Sequence, residues 1–337
     1  MNSDNWVNSQ LTVRLSNDLI VALAPMNLDI AKLPHFKSSE FQNSSVLLIN
    51  PGNCNFYRDC LTQVKGIIDA AIRESGARRL AFCGSSMGAY GALYFGSVFN
   101  QTKYIIAYAP FLRLNNPGTL SHLSMDPGLL GEEEYFYSEL LTNLKNSDAE
   151  IYLFHPCIDR QDGAHIADAE FLSTYPHVKR IHLMCEHDLH RHVSLPKVVV
   201  SLLEHGIIPD EFGEIYASDV EISASKMAYR IYADEFQGKR SEFDFPLMPT
   251  EETRSWIYYY WKARNLALHG RHWASLSNFM AAMGYGGNNV SELHFCVANV
   301  LKELNLTHAA TGYYQEAFKL NPHNLEAAKN ICNLLIK

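Results

Sequence analysis

The sequence predicts an α/β protein: a mostly parallel sheet with helices on both faces, followed by a small all-helical domain. Three observations support this. Short apolar runs alternate with helical periodicity through residues 1–212, which is typical of a parallel sheet. A serine lies at the apex of a strand–turn–helix pattern, Arg79–Gly91. Only helical periodicity remains in residues 255–337, so we treat residues 213–254 as a helix and linker between two domains.

Composition narrows the classes of function. The 337 residues suffice for two domains, and the net charge of −8 disfavours a nucleic-acid or anionic-membrane partner. Seven scattered cysteines without a C-x-x-C spacing favour a reducing compartment. Neither a secretory signal nor an apolar run of about 18 residues is present, so we expect a soluble, cytoplasmic protein.

In the first part of the chain, the hydrophobic periodicity predicts several strands and two helices. Leu11–Leu15 and Leu19–Leu23 flank a polar turn and predict a β-hairpin. Continuous apolar runs predict strands buried on both faces, at Val46–Ile49, Leu80–Cys83 and Tyr104–Tyr108. Helical spacing predicts helices over Tyr57–Ser75, which stops at Gly76, and over Ala89–Phe99.

Residues 112–148 interrupt this alternation. They contain two Pro-Gly turns, an acidic run and one helical pattern around Tyr135–Leu144. Because the segment follows a strand at the sheet edge where the serine lies, it is a candidate lid or substrate-binding loop, and a surface insertion without a role in the site is the alternative. Alternation then resumes with strands and helices at Glu150–Phe154, Ile166–Thr174, Val178–Met184 and Pro196–Glu204.

The turn around Ser86 is the candidate catalytic motif. In Gly84-Ser85-Ser86-Met87-Gly88, glycines lie two positions on either side of Ser86. A turn this tight strains the apex residue, and the glycines avoid clashes with the neighbouring strand and helix. The motif resembles the G-x-S-x-G nucleophile elbow of the α/β-hydrolase superfamily, and residues 1–212 resemble that fold.

The resemblance implies an acid after the next-to-last strand. Asp159 and Asp162 both follow the strand Glu150–Phe154. Asp162 lies in an Asp-x-x-His context that is similar to bacterial serine hydrolases linked to surface polysaccharides. We therefore assign Asp162 as the acid and keep Asp159 as the alternative.

The resemblance also implies a histidine after the last strand. His187 fits best, although Glu186 stands where the family usually has a small residue; His190 is the alternative and His192 a further one. Histidine would remove the serine proton and then protonate the leaving alcohol, while the aspartate fixes its tautomer. The backbone N–H groups of Met87 and Asn53 would form the oxyanion hole.

Other site chemistries fit less well. A metal site at His187, Asp188 and His190 matches no H-E-x-x-H type signature, and no cysteine pair supports it. No phosphate-binding glycine loop is present. We expect neither a cofactor nor a metal.

The C-terminal domain contains an internal repeat. Counted from Ser291, positions 8, 20, 24, 27 and 32 hold Ala298, Ala310, Tyr314, Ala317 and Pro322. Counted from Trp256, positions 8, 20, 24 and 27 hold Ala263, Ser275, Phe279 and Ala282. These residue types and positions resemble the tetratricopeptide (TPR) repeat, which implies a protein-binding role.

Two functions are consistent with these sequence features. The first is a serine esterase or deacylase, acting on an acyl ester that resemblance suggests is an acylated sugar or glycolipid, with a protein partner at the TPR-like repeats. The second is a non-catalytic module in which the hydrolase fold is a scaffold and the repeats bind a protein. The intact serine turn, followed by acid and histidine in the family's order, favours the enzyme.

Overall fold

A computed structural model describes the protein over residues 7–25, 41, 43–52, 55–124, 131–158, 160–185, 194–209, 216–239, 255–322 and 325–335. Contacts divide the chain into two compact units, Met1–Ala217 and Ser218–Lys337. Each unit has its own buried core.

A seven-stranded sheet forms the centre of the first unit. The strands in chain order are β1 (Asn8–Thr12), β2 (Asp18–Leu23), β3 (Ser45–Asn50), β4 (Arg79–Ser85), β5 (Thr102–Tyr108), β6 (Glu150–Pro156) and β7 (Val178–Leu183). Their order in the sheet is β1-β3-β2-β4-β5-β6-β7. Every pairing is parallel except that of β1 with β3, so the predicted mostly parallel sheet is confirmed.

The predicted hairpin of the first two strands is wrong. β1 pairs with β3, whereas β2 lies between β3 and β4. Because Leu19–Leu23 are buried on both faces, β2 needs neighbours on both sides, and the half-exposed β1 becomes the edge strand. Arg14 fixes the connection between them by donating from its guanidinium to the carbonyls of Phe41 and Ser44, at 2.7 and 2.9 Å.

Six helices in the described part of the first unit accompany the sheet: α1 (Leu61–Ser75), α2 (Met87–Gly96), α3 (Leu120–Ser124), α4 (Glu133–Asn146), α5 (Arg160–Asp168) and α6 (Leu195–His205). α1 ends at Gly76, which has φ 65° and donates its N–H to the carbonyl of Ile72, as its position predicts. The helix predicted over Ile166–Thr174 is displaced: α5 starts at Arg160, and a 3₁₀ turn covers Glu170–Thr174.

The two faces of the sheet carry separate cores. On one face, Val21, Phe82 and Ile105 pack in a cluster with residues of α1, α2 and α4. On the other, Ile20 and Ile106 pack with residues of α6. Helices therefore cover both faces, and the predicted α/β class, a mostly parallel sheet with helices on both faces, is confirmed.

The insertion 112–148 is joined to the rest of the unit near its start and at the beginning of its second described helix. Glu133, at the start of α4, forms a fully buried ion pair with Arg58 and accepts a hydrogen bond from the N–H of Leu114 at 2.7 Å. Asn116 donates to a carboxylate oxygen of Asp168 on α5 at 2.5 Å. These contacts connect the insertion to α5 and to the start of α1.

The second unit is helical, as predicted. Its described helices are α7 (Asp219–Phe236), α8 (Trp256–Leu268), α9 (His272–Gly284), α10 (Ser291–Glu303), α11 (Thr307–Leu320) and α12 (Leu325–Leu335). α10 and α11 begin 35 residues after α8 and α9, respectively. The small and aromatic residues of the internal repeat are all buried: Ala263, Ser275, Phe279, Ala282, Ala298, Ala310, Tyr314 and Ala317.

One buried hydrogen bond joins the first helix pair directly. The Ser275 hydroxyl donates to the Ala263 carbonyl at 2.7 Å, across the contact between α9 and α8. Within the described ranges, no helix is both long enough and apolar enough to cross a membrane.

Candidate active site

Ser86 lies at the junction of β4 and α2, in a backbone conformation that only strong local constraints maintain. Its φ of 55° and ψ of −120° lie outside the regions that L-residues ordinarily adopt. Its N–H donates to the carbonyl of Tyr108 at 2.8 Å, and its own carbonyl accepts from Ala89 at 3.0 Å. The serine is therefore held between the end of β5 and the first turn of α2, with 9% of its surface exposed.

The two flanking glycines are sterically required. A Cβ on Gly84 would lie 2.2 Å from the carbonyl oxygen of Gly88, and a Cβ on Gly88 would lie 2.1 Å from the carbonyl oxygen of Leu23. Both contacts are with backbone, which cannot rotate away as a flexible side chain does. The glycines thus allow α2 to approach β4 and β2 closely enough to form the turn.

Backbone strain is concentrated at this edge of the sheet. Of the five described non-glycine residues with positive φ, four follow β3, β4 and β5: Phe56, Tyr57, Ser86 and Ala109. These residues come from three loops at the carboxyl edge of the parallel strands. Strained residues occur preferentially at active sites and ligand clamps, and ligands of open α/β sheets bind at this edge.

One of the two predicted oxyanion donors lies in the described chain. Met87 is the first residue of α2, where helix N–H groups lack intrahelical partners and the helix dipole favours negative charge. The N–H groups of Ala89 and Tyr90, by contrast, both donate hydrogen bonds to the carbonyl of Ser86. The second predicted donor, Asn53, lies outside the described residues.

Asp162 occupies the first turn of α5, directly after β6. Its side chain is 1% exposed, and it makes contacts within the fold. Since β4 and β6 are separated only by β5, Ser86 and Asp162 belong to the same edge of the sheet. The alternative acid, Asp159, lies outside the described residues.

The predicted bases His187, His190 and His192 lie outside the described residues, together with Glu186 and Asp188. The described chain nevertheless contains three buried or half-buried histidines at this edge that sequence reasoning missed. His155 and His182 are register partners near the ends of β6 and β7, and His165 lies one turn after Asp162. For His155 and His182, the available signal was their place near the ends of two predicted strands; His165 is the histidine of the Asp-x-x-His context, which was used only to choose Asp162.

The described residues include no group of three or more histidine, cysteine or acidic side chains able to hold a metal ion. Burial raises the pKa of the thiol of Cys60 to about 12, and it raises the pKa of the Cys83 thiol further. These thiols are therefore protonated and unreactive near neutral pH. Among the described serine and cysteine residues at this edge, Ser86 is the one with a positive φ.

No protein-family model matches the chain, and no curated protein matches it. Several solved structures are similar in fold. The capsule O-acetyltransferase of Neisseria meningitidis serogroup A has a TM-score of 0.40 at 17% identity, covering 54% of this chain and 84% of its own. MGS-M2, an α/β-hydrolase enzyme from a Medee basin deep-sea metagenome library, has a TM-score of 0.39 at 13% identity. The match covers 58% of this chain and 92% of MGS-M2.

MenH from S. aureus has a TM-score of 0.36 at 14% identity, and the match covers 54% of this chain and 91% of that protein. Scores this low indicate neither an activity nor a substrate for the chain.

Proposed function

We propose that the protein is a serine hydrolase, an esterase or deacylase that forms an acyl-enzyme on Ser86. The observation that carries this proposal is the backbone of Ser86, with φ 55° and ψ −120°, between two glycines that have no room for a side chain. A passive serine in an ordinary turn needs neither the strain nor the two close backbone approaches.

The proposed chemistry follows from the residues. His187 takes the proton from Ser86 Oγ as the oxygen attacks the ester carbonyl, and the N–H groups of Met87 and Asn53 stabilise the oxyanion. Asp162 orients the imidazole and stabilises its charged form. The histidine then protonates the leaving alcohol, and water releases the acid from Ser86 by the same steps in reverse.

We also propose a class of substrate and a protein partner. Resemblance to serine hydrolases linked to surface polysaccharides suggests an acylated sugar or glycolipid in a cytoplasmic setting. The insertion 112–148 is the candidate substrate-binding segment. The 35-residue spacing and the buried repeat positions support TPR-like repeats in residues 255–337, which would bind a protein partner.

A fluorophosphonate probe tests the proposal, because it reacts covalently with activated serines. The wild-type protein should be labelled at neutral pH, and Ser86→Ala should lose the label. The matched control is Ser85→Ala, which removes the neighbouring hydroxyl in β4 and should keep most of the labelling rate. A wild type that is not labelled favours the scaffold function, and so does equal labelling of Ser86→Ala.

The acid and base are assigned by paired substitutions in ester turnover. Asp162→Asn should lower kcat by about 10⁴-fold, as loss of the orienting carboxylate does in other triads, whereas Asp159→Asn should have little effect. His187→Ala should likewise be compared with His190→Ala. Losses on Asp159 or His190 instead would show that these assignments are wrong while Ser86 stays the nucleophile.

A further inference from the structure

Tyr90 on α2 joins the strained turn at Ser86 to a buried cation. Its backbone N–H donates to the carbonyl of Ser86 at 3.3 Å, and its hydroxyl accepts a hydrogen bond from Nε of Arg58 at 3.2 Å. The tyrosine is 0% exposed. One residue therefore contacts both the proposed nucleophile and the arginine, and the proposed chemistry does not use its side chain.

Arg58 connects this tyrosine to two parts of the insertion. Its guanidinium is fully buried and forms an ion pair with Glu133, the first residue of α4. The other carboxylate oxygen of Glu133 accepts a hydrogen bond from the N–H of Leu114 at 2.7 Å. Leu114 lies near the start of the insertion, so its first residues and its helix α4 both converge on the cation that bonds Tyr90.

The ring of Tyr90 packs against a second strained loop. It meets the ring of Phe56 edge-on with the centroids 6.1 Å apart, and Phe56 in turn lies edge-on to Phe111 at 5.6 Å. Phe56 has a φ of 51°, and Phe111 follows the strained Ala109 by two positions. Tyr90 is thus in contact, directly or through one neighbour, with the loops that follow β3 and β5.

The chemistry of Tyr90 is suited to positioning rather than to proton transfer. Burial raises the pKa of its hydroxyl to about 12, although the positive charge of Arg58 opposes the rise. The phenol is therefore neutral near pH 7 and is not a general base for Ser86. A hydrogen bond to a charged group contributes about 1.5–3 kcal/mol, which is comparable with the strain of about 1–3 kcal/mol at a residue such as Ser86.

We propose that Tyr90 is a positioning residue of the hydrolase site and that it couples the insertion to the backbone of Ser86. Glu133 holds Arg58, and Arg58 holds the ring of Tyr90. Tyr90 in turn helps to keep the first turn of α2 against the carbonyl of Ser86. This inference rests on the proposed function, because it concerns the placement of the same nucleophile. It gives the insertion a role in activity that does not require contact with the substrate.

The test separates the two constants of fluorophosphonate labelling, the maximal rate kinact and the probe concentration KI at half-maximal rate. Tyr90→Phe removes the hydroxyl and keeps the ring. We expect kinact to fall by about 5–30-fold while KI stays within about twofold, because a small misplacement of the nucleophile affects reaction more than binding. A residue with only a structural role would lower the thermal midpoint and leave kinact of the folded protein unchanged. Both constants are therefore measured at a temperature where circular dichroism shows every variant to be folded.

Tyr94→Phe is the matched control. Tyr94 lies one turn further along α2, and its hydroxyl donates to a carboxylate oxygen of Glu139 on α4 at 3.2 Å. The substitution removes one hydroxyl between the same two helices, but one that bonds Glu139 rather than Arg58. We expect kinact within about twofold of wild type. An equal loss in both variants would show that any contact between α2 and α4 has this effect, and it would overturn the assignment to Tyr90.

A double-variant cycle tests the link to the insertion. Glu133→Gln keeps the size of the side chain and removes the charge that holds Arg58, so it should also lower kinact. If both changes act through the Tyr90 hydroxyl, the double variant Tyr90→Phe, Glu133→Gln should label within about twofold of the slower single variant. Should Glu133→Gln fail to fold, Arg58→Lys takes its place in the cycle with the same expectation, because it keeps a cation for Glu133 and loses the Nε donor.

The outcomes separate this inference from the proposed function. An unchanged kinact in folded Tyr90→Phe would overturn the inference and leave the hydrolase intact. Losses that multiply in the double variant would also overturn it, since the insertion would then act by another route. A wild type that is not labelled at all contradicts the proposed function, and the positioning of that nucleophile fails with it.

Discussion

At the scale of single residues, the candidate site depends on strain that neighbouring contacts hold in place. A residue in a sparsely populated backbone region costs about 1–3 kcal/mol and persists only where its surroundings fix it. Ser86 is fixed on both sides, by Tyr108 through its N–H and by α2 through its carbonyl. The strained Ala109 follows Tyr108 and donates its N–H to Phe154, so β5 and β6 support the same turn.

The glycines of this turn give the first stability prediction. Gly88→Ala should destabilise the protein by about 3 kcal/mol, since the new methyl group would meet the backbone of Leu23. Gly66→Ala, in the exposed middle of α1 with no atom within 4 Å of the added Cβ, should stabilise it by about 0.5–1 kcal/mol. Chemical denaturation of both variants measures the difference, and equal effects would contradict the close approach of α2 and β2.

The sequence could predict the strained turn at Ser86 because its requirements are local. Gly84, Ser86 and Gly88 lie within five positions, and the strain follows from the turn they must form. The pairing of His155 with His182 was not predictable in the same way, because it depends on the register between two strands. Local spacing contains no information about that register.

At the scale of elements, a buried ion pair fixes the insertion to the sheet unit. The Arg58 guanidinium lies over the ring of Phe136 at 4.5 Å and donates to the Tyr90 hydroxyl at 3.2 Å. Its partner Glu133 begins α4, where a carboxylate also interacts favourably with the helix dipole. Desolvation raises the pKa of Glu133, and Arg58 opposes that rise, so the carboxylate depends on the arginine to stay charged.

Removing one partner of this pair should be costly. Arg58→Met leaves Glu133 buried without its cation and should lower the free energy of unfolding by about 3–5 kcal/mol. The double variant Arg58→Met, Glu133→Leu removes both charges and should recover most of that loss. Urea denaturation of the two variants measures the recovery, and a double variant as unstable as the single one would contradict a strongly coupled pair.

Strands and helices were predictable where a single hydrophobic periodicity dominates the sequence. The buried strands and α1 follow continuous apolar runs or a clear helical spacing. The pairing of β1 was missed because proximity in sequence favours a hairpin, whereas burial of β2 on both faces overrides it. α5 was displaced because its first turn carries Asp162, whose burial depends on tertiary packing rather than on apolar periodicity.

At the scale of the whole molecule, the chain combines two kinds of core. Alternating strands and helices bury the two faces of one sheet in the first unit. The second unit buries small residues and aromatic rings between helices that recur at a fixed spacing. The sequence predicted both architectures, because each has its own periodicity.

The two cores should respond separately to substitution. Phe279→Ala removes a ring that is 1% exposed in the second unit and should lower the stability of that unit by about 3–5 kcal/mol. We expect calorimetry to show an earlier transition for the helical unit, while fluorophosphonate labelling at 25 °C keeps its rate. Loss of labelling in Phe279→Ala, at a temperature where the first unit is folded, would contradict this separation.

The central claim is that Ser86 is an activated nucleophile. Mass spectrometry of the intact, probe-treated protein and of its peptides tests it most directly. We predict one adduct per chain, located on Ser86 and absent in Ser86→Ala, while Ser85→Ala still forms it. An adduct on another residue, or none on a folded wild-type chain, would contradict the claim.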